Sequence, residues 1–154
     1  MTNSDFKIVV VGMGVQGKKR AKFAFNDLVA KVDVDKNNLD ADYNDLNDIN
    51  KKDYDAVLLC TPDEVKYEIL KTILNSKKHV LVEKPLFVKN KEELLELQNI
   101  ANNNNVVLYT AYNHRFEPHF VNMKNLLLKK GLGNIFRLRM FYGNGTSGLV
   151  KQSE

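Results

Sequence analysis

The sequence predicts an α/β fold: a doubly wound parallel sheet, followed by the first strand of an incomplete α+β second domain. Three observations point there. Short apolar, β-branched runs alternate with helical stretches over most of the chain, which is the order of a sheet built from strand–helix–strand units. Those runs are apolar on both faces, as in strands covered from both sides. Near residue 134 the pattern changes to strict apolar–polar alternation, the mark of a half-buried strand in an antiparallel sheet.

Taken in order, "KIVVVG" (7–12) reads as a first strand and "VQGKKRAKFAF" (15–25) as a helix. "LVAKVDV" (28–34) is a second strand. The stretch between Asp35 and Tyr54 has weak helical patterning, so this crossover is expected to hold one short helix or to be largely irregular. "DAVLLCT" (55–61) is a third strand, and "EVKYEILKTIL" (64–74) a helix with Val65, Ile69, Ile73, Leu70 and Leu74 on one apolar stripe. "HVLVE" (79–83) is a fourth strand. "KEELLELQNIA" (91–101) is an amphipathic helix with Asn90 as cap and Glu93 three residues on. "NVVLYTAY" (105–112) is a fifth strand, and Pro118 opens a last helix over 119–130. In "NIFRLRMFY" (134–142), Phe136, Leu138, Met140 and Tyr142 alternate with Arg137 and Arg139. No partner strand follows before Glu154, so the rest of a second domain is expected to be absent. The boundaries that follow are 1–118 for the first domain and 119–154 for a connecting helix and the start of the second.

Composition narrows the function. With 44% hydrophobic and 27% charged residues, the chain falls among soluble globular proteins, and no apolar run approaches the ~20 residues of a membrane span. "MTNSDFK" lacks the basic start and apolar core of a secretory signal. The single cysteine, Cys60, leaves no disulfide framework and no thiolate metal site; a cytoplasmic protein without metal is expected. The net charge of +4 is spread over small lysine groups separated by acids, so no nucleic-acid partner is expected.

Two motifs carry chemistry. Gly12, Gly14 and Gly17 have G-x-G-x-x-G spacing between a strand and a helix, the context of a dinucleotide-binding turn. The first glycine permits the turn, the second admits a pyrophosphate, and the third lets the helix pack on the sheet. With Val15 and Gln16 they form the candidate phosphate site at the helix N-terminus. Asp33 follows Gly12 by 21 residues, close to the ~20 expected for the acid that holds the adenosine ribose. Asp35 is the alternative, with a solvated loop position the better reading for it. An acid here repels a 2′-phosphate and favours NAD, whereas Lys36 and the basic run at 18–20 keep NADP open. The second motif is Glu83–Lys84–Pro85 at the end of the fourth strand, the edge where ligands bind in open α/β sheets. A lysine there can donate to a substrate hydroxyl or the nicotinamide ribose, and Glu83 can tune its charge. A strand end closed by a surface salt bridge explains the same residues about as well.

"VGMGVQG", "DAVLLCTPDEVKYEIL", "KHVLVEKPL", "AYNHRFEP" and "GLGNIFRLR", in that order, resemble the N-terminal part of the Gfo/Idh/MocA oxidoreductases, the family named for glucose–fructose oxidoreductase and inositol dehydrogenase. The resemblance implies a Rossmann sheet and reversible oxidation of a secondary hydroxyl of a sugar, polyol or nucleotide sugar by hydride transfer to NAD or NADP. It implies that Lys84 is the catalytic lysine, that Thr61 and Pro62 line the cofactor, and that Asn113 touches ligand. Under it Arg115 shares with Asn113 the turn that borders cofactor and substrate, a structural role fitting it equally well, while Phe116 is core and His114 a turn residue. Lys66 stands where the family often has histidine, and the family's D-x-x-x-H pattern falls beyond Glu154, so no general acid/base can be named. A homo-oligomer is also implied, and the chain by itself is expected to be inactive. A non-catalytic dinucleotide-binding or sensing module is the alternative.

Overall fold

The computed structural model describes residues 6–129 and 131–141. They form two compact units that divide between Tyr112 and Asn113.

The first unit is a parallel sheet of five strands, β1 (Ile8–Val11), β2 (Leu28–Val32), β3 (Ala56–Leu59), β4 (His79–Val82) and β5 (Leu108–Thr110), in the order β2-β1-β3-β4-β5. Helix α1 (Val15–Ala24) joins β1 to β2; α2 (Asp63–Asn75) joins β3 to β4; α3 (Lys91–Asn103) joins β4 to β5. From β1 the chain winds first toward β2 and later toward β5. Right-handed crossovers in these opposite directions put α1 on one face and α2 with α3 on the other. The doubly wound sheet expected from the alternation is thus present.

Alternation within each strand supplies both faces. Val9, Val11, Val57, Leu59, Val80 and Val82 point to the α2–α3 side, where they meet Leu70, Ile73, Leu74, Leu97 and Ala101 in one buried cluster. Local signals set the helix ends. The Asn90 side chain accepts from the Glu93 N–H (2.9 Å), and the Glu93 carboxylate accepts from the Lys89 N–H (2.7 Å), so two orphan donors at the start of α3 are satisfied reciprocally.

The crossover from β2 to β3 contains no α-helix, only one 3₁₀ turn at Leu46–Asp48. Its composition explains this. Asp35, Asn38, Asp45 and Asn50 each accept a hydrogen bond from the backbone N–H two residues on, a local alternative to the helical ladder. Ile49 and Tyr54 plug the core where a helix would have packed.

The second unit holds a 3₁₀ turn (Asn113–Phe116) and helix α4 (Pro118–Leu128), with Pro118 in its first turn. The strand expected over 134–142 is not formed: residues 135–141 have no regular structure, and Phe136, Leu138 and Met140 are exposed. An apolar alternation specifies one face of a sheet, but a ladder needs a second strand, and none is present among the described residues of this unit. Tyr142 lies outside the described residues. Phe116, expected in the core, is 64% exposed and instead lies under the Arg115 guanidinium, 5.5 Å from the ring centre.

Candidate functional site

The carboxyl edge of the sheet is in register. The Gly12 N–H bonds Val32 O, the Cys60 N–H bonds Val11 O, the Glu83 N–H bonds Leu59 O and the Ala111 N–H bonds Val82 O. The strand ends carrying the glycine turn, Thr61 and the Glu83–Lys84–Pro85 segment therefore follow one another along a single edge.

Beside β1 that edge opens into a cleft of about 690 Å³. Gly12, Gly14, Val15, Gln16, Asp33, Thr61 and Pro62, all expected at a cofactor, line it, together with Cys60, Val65 and Ile69. Val65 and Ile69 were assigned from their spacing to the packing stripe of α2; they sit on the side of that stripe that faces the cleft. Gly17 lies beneath the site, buried in the first turn of α1.

The three glycines have different reasons to be glycine. At Gly12, φ is +89°, and a Cβ would lie 2.7 Å from Cys60 O. At Gly17 a Cβ would lie 1.8 Å from Gly12 O. Packing of the chain on itself accounts for both. At Gly14 a Cβ would meet no atom within 4 Å, and its backbone (φ −71°, ψ −163°) suits any residue. Nothing in the described chain itself excludes a side chain there.

Two further features match a pyrophosphate-bearing cofactor. Helix α1 starts at Gly14 without a side-chain cap and without an acid in its first turn, so its first N–H groups and the positive end of its dipole are left for an anion. Thr61 Oγ1 is buried with no hydrogen-bond partner, a group that costs about 1–3 kcal/mol until something pairs with it. The residues present fit the group.

Asp33 is the acid at the cleft. Its Oδ2 accepts from the Met13 N–H at 2.7 Å and from Asn38 Nδ2 at 3.1 Å, and its Oδ1 accepts from the Asp35 N–H at 3.0 Å. The carboxylate is thereby fixed against the glycine turn. Asp35 does not line the cleft; it accepts from the Asn37 N–H. Of the basic run, Lys18 is paired with Asp40 at 2.6 Å, and this pairing holds the Asp40 carboxyl below its ordinary value. Burial, reinforced by the nearby Glu83 charge, pushes the Cys60 thiol up to about 12.

Glu83 and Lys84 stand at the same edge, just after the end of β4, but do not line this cleft. Glu83 is not paired with Lys84. It turns toward α1, where Arg20 Nε and Nη2 both donate to its Oε1, at 2.6 and 2.5 Å. Lys84 is exposed, and its peptide bond to Pro85 is cis. Asn113 begins the second unit. In that unit His114 is paired with Glu117 at 2.5 Å, as expected of a turn residue.

Two residues whose partners sequence reasoning did not foresee bind the Glu83–Pro85 segment at this edge. Arg20 had no local signal, since its partner is 63 residues away. Lys66 had one: it lies four residues before Leu70 and seven before Ile73, on the buried stripe of α2.

A sequence model of the Gfo/Idh/MocA oxidoreductase family with an NAD-binding Rossmann fold matches residues 6–112. The chain is 30% identical over 100 residues to the oxidoreductase YrbE of Bacillus subtilis, covering 65% of this chain and 28% of that protein. It is 37% identical over 90 residues to the scyllo-inositol 2-dehydrogenase (NADP(+)) IolU of the same organism, covering 58% of this chain and 27% of that one. Among solved structures, the apo scyllo-inositol dehydrogenase of Lactobacillus casei superposes with a TM-score of 0.74 at 26% identity, covering 88% of this chain and 44% of that one. The chain thus spans less than half the length of these relatives. Among the described residues, no helix is long and apolar enough to cross a membrane. NAD(P) is the cofactor expected of the domain, and the chain belongs to the Gfo/Idh/MocA oxidoreductase family through its NAD-binding Rossmann fold.

Proposed function

We propose that the chain is the nucleotide-binding part of an NAD(P)-dependent dehydrogenase that oxidises or reduces a secondary hydroxyl of a sugar, polyol or nucleotide sugar, with NAD preferred. In this reading residues 1–118 bind the cofactor and 119–154 lead into a substrate and oligomerisation domain. The observation that carries it is the open space above Gly14 at the uncapped start of α1, with a fixed carboxylate at Asp33 beside it.

The chain's own residues have separable tasks. The N–H groups of Val15, Gln16 and Gly17 hold the pyrophosphate. Asp33 spends part of its acceptor capacity on Met13, Asn38 and Asp35; a carboxylate has about four acceptor sites, which leaves room for a ribose hydroxyl. Its charge disfavours a 2′-phosphate at the same place. Thr61 Oγ1 gains the partner it lacks, and Pro62 with Val65 and Ile69 shields the apolar wall. Lys84 donates to the substrate hydroxyl or the nicotinamide ribose, favouring charge on the reacting oxygen. Glu83, held by Arg20, positions the start of that segment rather than tuning the lysine by direct contact. Asn113 enters as a ligand contact on the family resemblance alone. The nicotinamide supplies the hydride acceptor or donor. Inositols are the substrates named for two of the relatives, and this supports putting polyols first among the three classes.

Calorimetry with NAD⁺ and NADP⁺ tests the reading. NAD⁺ should bind more tightly, and Asp33→Ala should weaken NAD⁺ while narrowing the difference. No binding of either, or equal loss of both in Asp33→Ala, contradicts it.

A further inference from the structure

Lys66 is the only buried charged residue among the described residues, at 1% exposure. It sits in the second turn of α2, on the core face. Its ammonium has three protons and three acceptors: Asp63 Oδ1 at 2.6 Å, the Glu83 carbonyl at 2.8 Å and the Pro85 carbonyl at 2.8 Å. Two of those acceptors are the backbone carbonyls on either side of Lys84. The third belongs to the first residue of α2, directly after the Thr61–Pro62 turn that lines the cleft.

We propose that Lys66 is a positioning residue for Lys84: by gripping the carbonyls of Glu83 and Pro85 and the Asp63 carboxylate, it clamps the Lys84 segment to the cofactor-lining turn. The chemistry favours such a role over a general contribution to stability. Burying a charge is costly unless it is paired and fully hydrogen-bonded, and an apolar residue on this stripe would pack without that cost. The ammonium instead fills all its donor positions at one spot. Neither carbonyl it holds belongs to a strand of the sheet, since β4 ends at Val82. Arg20 fixes Glu83 from the α1 side through its carboxylate, and Lys66 fixes the next turn of backbone from the α2 side. Lys84 itself is left exposed between two anchored neighbours.

The inference rests on the dehydrogenase reading for what Lys84 does, but the clamp itself can be tested apart from it. In the 154-residue chain, Lys66→Met keeps side-chain length and removes the donors. Amide hydrogen exchange over 83–86 should then accelerate by about tenfold or more, as expected when charge-assisted bonds are lost, while β1 and β3 stay protected. NADH affinity should fall about tenfold, and affinity for ADP, which lacks the nicotinamide half, should not change. In a Lys84→Ala background the same Lys66→Met change should no longer affect NADH, because its effect passes through Lys84. Unchanged exchange over 83–86 overturns the clamp. An NADH loss that persists in the Lys84→Ala background, or an equal loss of ADP, makes Lys66 a structural residue and overturns the positioning role. If the parent chain binds neither NADH nor ADP, the dehydrogenase reading fails, and the exchange experiment still decides the clamp. Should Lys66→Met not fold, Asp63→Asn at the more exposed partner carries the same comparison with a smaller shift of the same sign.

Discussion

Replacing Gly14 with valine separates ligand binding from folding. The backbone at Gly14 is extended and unstrained, and the space its Cβ would enter holds no atom within 4 Å. The loss of unfolded-state freedom favours the variant and the poorer helix cap opposes it, so stability should move by no more than about 1 kcal/mol. Gly12 and Gly17 behave differently. A Cβ 2.7 Å from Cys60 O or 1.8 Å from Gly12 O forces backbone apart. Such overpacking costs about 1–3 kcal/mol or more, against a total of about 5–15 kcal/mol for a typical domain. Affinity should show the reverse order. Valine at position 14 fills the place from which a pyrophosphate reaches the first N–H groups of α1. Losing two charge-assisted bonds at about 1.5 kcal/mol each amounts to roughly a hundredfold in Kd. Thermal unfolding by circular dichroism and calorimetry with NAD⁺ read the two effects separately. A folded Gly14→Val that binds NAD⁺ as well as the parent refutes the pyrophosphate assignment. A Gly14→Val that does not fold refutes the reasoning from open space.

Thr61→Val removes a buried hydroxyl that has no partner, so the ligand-free protein should melt at the same temperature or higher while NAD⁺ affinity drops; a lower melting temperature without ligand would show that the hydroxyl is already satisfied. The Cys60 thiol is raised from 9.0 to about 12 by burial, so above about pH 9 the unfolded chain gives up this proton while the folded chain keeps it. Stability fully present below pH 9 should therefore be lost as pH climbs toward 12, and Cys60→Ala should flatten that alkaline loss of melting temperature; an unchanged pH profile contradicts the assignment. Phe136, Leu138, Met140 and Phe141 are exposed on one short segment, which should promote self-association. Leu138→Lys with Met140→Lys should shift light scattering toward monomer at unchanged NAD⁺ affinity, and a parent chain that is monomeric at high concentration contradicts this.

The strands and helices of the first unit were legible because their signals are local. Val9, Val11, Val57 and Leu59 sit in runs too apolar for any surface, and Asn90 with Glu93 marks the start of α3 before any tertiary contact is known. Five of the seven cleft-lining residues were legible for a related reason: a glycine turn after a strand and an acid 21 residues on are fixed by chain geometry within one strand–helix–strand unit, whereas Thr61 and Pro62, after β3, came from the family resemblance alone. The tail was misread because alternation describes one face of a sheet and says nothing of the neighbour that must supply the ladder.

The segment "HVLVEKPL" shows where local reading stops. A glutamate and a lysine side by side after a buried strand suggest a pair, yet the carboxylate belongs to Arg20, 63 residues earlier, and the adjoining carbonyls belong to Lys66, 17 and 19 residues earlier. Both partners lie on helices that cross opposite faces of the sheet, so the two side chains meet the edge from above and below. No spacing rule within a single helix or strand encodes that meeting; the winding of the sheet does. Lys66 still left a trace in the sequence, a cation on an apolar stripe with an aspartate three residues before it. A lysine in that position has to find acceptors inside the protein or expel itself from the core, and in a parallel sheet the backbone carbonyls just past the strand ends are the nearest ones without ladder partners. The charge that looks misplaced on α2 and the exposed charge at Lys84 thus meet at one short segment: the buried ammonium of Lys66 holds the carbonyls of Glu83 and Pro85, the two residues that flank Lys84.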